Sequence, residues 1–172
     1  MARISVEHLA KAVQKISAMD LRQKELLTEE IHLRQPHLLA SCLVQSRLGA
    51  DMRAVEVLLN ILLVCYQAIK ETGLQWPLIS EAEQARQLQH TVSAIRFSED
   101  IKEAAASDTA RGQYFDSHPE QPLLAFAINE ANVWLRDVSQ RHTEAESDKF
   151  VLMASVNLVN CIAHSAADAR RV

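Results

Sequence analysis

At 172 residues and 19.3 kDa, with 48% of the chain apolar and 23% charged, there is room for one domain with a sizeable core. Disorder is excluded, and no disulfide or metal staple is needed for stability. Only 3 glycines stand against 24 alanines and 21 leucines, which selects helices over sandwiches, barrels and glycine-rich phosphate loops. The net charge of −4 supplies no basic field for nucleic acid, and the acidic excess lies wholly in the half after Arg86.

The spacing of Val6, Leu9, Val13 and Ile16 predicts an amphipathic first helix capped by Ser5. A second helix is expected from Asp20, carrying Leu21, Leu26, Leu27 and Ile31 toward Arg34. Gln35-Pro36 marks its end, because the residue before proline is pushed out of the helical region. Pro36 opens a third helix through Leu38, Leu39, Leu43 and Val44, stopped by Gly49. Asp51 caps a fourth, with Gly73 just past its end. Its stretch 57–66 is apolar almost all round, about half a membrane span, and so predicts the central core helix.

Ser80 followed by Glu83 predicts a capping box for a long fifth helix, with Ala85, Leu88, Val92 and Ile95 as its buried stripe and fraying near Ser107. Residues 108–121 read as one long irregular segment. Pro122 opens a sixth helix, and Thr143 with Glu146 caps a seventh that runs toward Ala169. The expected architecture is therefore an all-α single-domain bundle of about seven helices with no strand. Gln35-Pro36-His37-Leu38-Leu39-Ala40 resembles Gln121-Pro122-Leu123-Leu124-Ala125, which raises a duplicated helical hairpin with halves 20–73 and 108–170. The plainer explanation is that proline before Leu-Leu commonly starts a buried helix.

Among groups that could carry chemistry, Glu29 and His32 form Glu-x-x-His, which puts a carboxylate and an imidazole on one helix face. Helical di-metal sites use two such pairs, and the second is missing here, since Cys161 and His164 offer a thiolate instead. A solvated face is the simpler reading, and no metal or cofactor is expected. The other histidines (His8, His37, His90, His118, His142, His164) make no ligand pairs by spacing and read as surface or capping residues. No nucleophile elbow, Walker loop, dinucleotide fingerprint or Cys-x-x-Cys occurs.

Asn60, Asn157 and Asn160 interrupt apolar helices and are candidates to line a ligand pocket or to fix helix register. Trp76, Tyr114 and Phe115 lie outside the periodic stripes, as partner-binding anchors or as plugs at the ends of the bundle. Asp108, Asp116 and Glu120 around the last two suggest an acidic rim for a basic partner. If those two rings face a partner, removing both should lower stability by less than about 1 kcal/mol.

Cys42, Cys65 and Cys161 sit in apolar stretches and read as reduced thiols. The first residues lack the apolar run of a signal peptide, so a cytoplasmic location is expected. Two function classes follow. One is a non-enzymatic protein acting through a protein partner, with no nucleic acid and no membrane involved. The other is a helical protein that binds a small ligand or metal, with an enzyme as one form of it. The first helix, near a terminus, suits a homodimer, with core coverage as the plainer reading.

Overall fold

The computed structural model describes residues 2–100, 104–141, 149–165 and 170–171. The chain runs through α1 (Val6–Ala18), α2 (Leu21–Arg34), α3 (Pro36–Leu43) and α4 (Met52–Thr72). After these come α5 (Glu81–Asp100), α6 (Ala104–Asp116), α7 (Gln121–Arg141) and α8 (Lys149–Ser165). Ser5 caps α1 and Asp20 caps α2, each exchanging hydrogen bonds with the residue three positions on. A 3-10 turn at Val44–Ser46 follows α3, and Gly49 takes a left-handed φ of 93° beyond it. Gly73 ends α4 in the left-handed conformation at φ 67°, where a side chain would be strained.

α4 is the axis of the fold. Residues 61–69 are buried without a break, and α1, α2, α3, α7 and α8 all pack against it. It is long and apolar enough to cross a membrane, but 67% of that apolar window is buried inside the fold. α1 lies on α4 through Ala12 and Ile16, with Leu9 and Val13 half-buried beside them and Val6 69% exposed. Lys15 donates to Glu71 at 2.6 Å and ties the two helices at their far ends.

Four features depart from the sequence expectations. Residues 104–116 are helical, so most of the expected irregular segment is α6 and the described helices number eight. Weakly patterned residues form this helix because Ser107 is buried and Phe115 packs on the core, a tertiary gain that overrides local propensity. Leu74–Gln75 (β1) pairs antiparallel with Arg170–Arg171 (β2), a two-residue bridge in an otherwise helical chain.

On α5, the buried residues are Gln84, Gln87 and Thr91, not Ala85 and Leu88, so the helix is rotated by about one residue from the expected face. On α2, only Leu27 and Ile31 are buried, and Leu21 and Leu26 face solvent. The expected Thr143–Glu146 capping box lies outside the described residues.

Candidate functional site

Gln35 joins α2 to α3 and is 4% exposed, unusual for a glutamine at a helix junction. Its amide explains the burial. Nε2 donates to the Pro77 carbonyl at 2.8 Å and Oε1 accepts from the Ile79 N–H at 3.0 Å, so one side chain does the work of a strand pair. This fixes the connector 74–79, buries Ile79 and turns Trp76 toward α8. There the indole N–H donates to the Ile162 carbonyl at 2.9 Å.

The connector so held closes a groove of about 420 Å³ against α2 and α4. Its floor is Leu38, Leu62, Ile69, Trp76, Ile79 and Ile162, and its rim carries Glu30, Arg34, Tyr66 and Lys70. Glu30 accepts from the Tyr66 hydroxyl at 3.0 Å and from Lys70 Nζ at 2.7 Å. Burial alone would raise the Glu30 carboxyl, but these two donors hold it below the usual carboxylate value. Burial, together with the adjacent Glu30 carboxylate, pushes the Tyr66 phenol up to about 12. A mixed apolar and charged recess of this size matches the ordinary range for small-molecule sites.

A second polar cluster joins α5, α6, α8 and the connector between α6 and α7 through Asn160. Its Oδ1 accepts from the Tyr114 hydroxyl at 3.0 Å and from His118 Nε2 at 2.9 Å, while its Nδ2 donates to Thr91 Oγ1 at 2.8 Å. His118 Nδ1 accepts from the Glu120 N–H at 3.1 Å, so the pattern assigns the proton to Nε2 of a neutral ring. The Thr91 hydroxyl in turn donates to the Gln87 carbonyl at 2.9 Å. Beside it, Asn157 Nδ2 reaches the Gln84 carbonyl at 3.4 Å, and Asn157 Oδ1 is buried without a partner. The interface between α5 and α8 is thus a polar seam.

Glu120, fully buried at the start of α7, completes the constellation. Its carboxylate accepts from Arg3 Nε at 2.9 Å, the Arg3 N–H at 3.3 Å and the Ile4 N–H at 3.0 Å. Arg3 also donates to the Ala163 carbonyl at 2.6 Å and lies 5.8 Å from the centre of the Trp76 ring. A carboxylate at the N-terminus of α7 and a guanidinium at the C-terminus of α8 each meet the favourable end of a helix dipole. Trp76 and Arg3 together satisfy two of the orphan carbonyls of the last turn of α8.

The structure distributes the candidates named above as follows. Trp76 is half-buried in the groove floor. Tyr114 (38% exposed) and Phe115 turn inward, the first to Asn160 and the second onto the core. Asn157 and Asn160 share the seam, whereas Asn60 is half-buried on α4 and is not bonded to that network. Glu29 and His32 are both exposed on α2. Among the described residues, no group of three or more His, Cys, Asp or Glu side chains could hold a metal ion.

The expected acidic rim is corrected at Glu120, whose charge is internal and paired. His118, expected as a surface or capping residue, is 7% exposed and accepts from the Glu120 N–H at the start of α7. Cys42, Cys65 and Cys161 are buried free thiols; burial pushes Cys42 and Cys161 up to about 12 and raises Cys65 as well. None has the thiolate character of a nucleophile.

Replacing Tyr114 and Phe115 together by alanine is expected to lower stability by about 3 kcal/mol in a denaturant titration. The loss combines a half-buried phenyl with a hydrogen bond to a buried amide. A loss under about 1 kcal/mol would show that the rings pack loosely. Sequence reasoning missed Gln35, Arg3, His118 and Glu120. The one local signal for this group was His-Pro-Glu immediately before a predicted helix start. No family model, no curated protein and no solved structure matches this chain.

Proposed function

We propose that the chain is a non-enzymatic binding protein whose working surface is the groove around Trp76 and whose ligand is a small amphipathic molecule. The observation that carries this reading is the pairing of an apolar floor with a charged rim, held open by the Gln35 clamp on the connector. The buried thiols and the internal pairing of His118, Asn160 and Glu120 favour binding over catalysis, because these groups are committed to one another. Three reduced cysteines suit a reducing compartment, which supports a cytoplasmic location.

A second reading, binding of a protein partner or of another copy, is favoured by the outer face of α2. Leu21, Leu26 and Leu33 are 74%, 49% and 82% exposed there. Titration with a neutral apolar dye such as Nile red separates the two. The expected result is one dye per chain, bound at least roughly tenfold more weakly by Trp76→Ala, about 1.4 kcal/mol. Leu26→Ala with Leu33→Ala should leave binding unchanged. Binding that survives the tryptophan substitution and falls with the leucines would move the working surface to α2.

A further inference from the structure

The groove has a charge asymmetry that selects its ligand. Glu30 is the one acid on the rim, and both of its oxygens are taken, one by Tyr66 and one by Lys70. Lys70 is spent on the same pair. Arg34 lies one helical turn beyond Glu30 on the same side of α2, is exposed, and has no ion-pair partner within 4.0 Å among the described residues. Two cations, Arg34 and Lys70, thus stand on the rim of this recess in a chain of net charge −4.

We infer that the groove binds an amphipathic anion, with its apolar body along Trp76 and Ile69 and its carboxylate or similar head on Arg34. The inference rests on the binding reading given above. A guanidinium presents a planar fork of donors that matches a carboxylate, and Arg34, which feels Glu30 without an ion-pair contact within 4.0 Å among the described residues, has that fork available. The apolar body gains by leaving water and the head keeps its solvation at the rim, so the two ends of the ligand are oriented without any covalent step.

Three probes with an eight-carbon chain test it: octanoate, 1-octanol and octyltrimethylammonium, titrated calorimetrically into the whole chain and into Arg34→Gln. Because Arg34 is exposed, the variant should fold as the parent does, which circular dichroism checks. The expected result is octanoate bound roughly tenfold or more tighter than either other probe, with the preference abolished in Arg34→Gln. Equal binding of octanoate and octanol would overturn the anion inference and leave the binding reading in place. Tightest binding of the ammonium probe would overturn it too, assigning recognition to Glu30. If no probe binds, the groove is not a ligand site and both readings fall.

Discussion

Glu120→Ala is expected to destabilise the chain by about 3 kcal/mol, the lower end of the range for breaking a buried ion pair, because the Arg3 side chain is 31% exposed and can turn to water. The carboxylate is fully buried and holds three donors, so its loss strands the Ile4 N–H and leaves Arg3 with the Ala163 carbonyl alone. Ile4 is itself fully buried and would lose the anchor that keeps residues before α1 against α7. Denaturant unfolding measures the loss, and Glu120→Gln apportions it. The amide keeps the volume and one acceptor but removes the charge, and should cost clearly less than alanine. A loss below 1 kcal/mol for alanine would mean that the N-terminal segment is held by Ile4 packing and not by the carboxylate.

Asn160→Leu should cost roughly 3 kcal/mol despite its similar branching at Cγ, because the larger apolar side chain answers no donor. The His118 Nε2–H would be left buried and unpaired, at about 1–3 kcal/mol for that group alone. Tyr114, partly exposed, can turn to water and loses less. Thr91 keeps its bond to the Gln87 carbonyl, so Thr91→Val is the smaller companion effect, about 1 kcal/mol. The two variants measured together report whether Asn160 acts as a hub, since coupled sites do not add. Strict additivity of Asn160→Leu and Thr91→Val would contradict the network.

Helix ends were legible in the sequence wherever one residue decides them. Ser5, Asp20, Pro36, Asp51 and Gly73 mark helix boundaries by local chemistry alone, since caps and proline act on backbone groups next door. The central position of α4 was legible for the same reason, as an apolar surface on every side must be enclosed. What escaped was decided at long range. α6 has little apolar stripe of its own and depends on docking Phe115. The face of α5 escaped because its burial does not follow apolarity: Thr91 accepts from Asn160 on α8, the Gln84 backbone carbonyl accepts from Asn157 there, and the buried Gln87 amide donates to Glu83 within α5. For Gln35, Arg3 and Glu120 the bonded atoms lie 42 to 160 positions apart, and no periodicity encodes such pairs.

The polar seam has a thermodynamic consequence for the molecule as a whole. Apolar burial drives the attachment of α4 to its neighbours, whereas amide and hydroxyl pairs between α5 and α8 exchange almost evenly with water when they part. Opening free energy is therefore graded from the centre outward. Amide hydrogen exchange is expected to find α5 and the helix that follows it opening at lower free energy than α4, which should open only in global unfolding. A solute that weakens apolar contacts and one that competes for hydrogen bonds would then loosen different parts of this chain first.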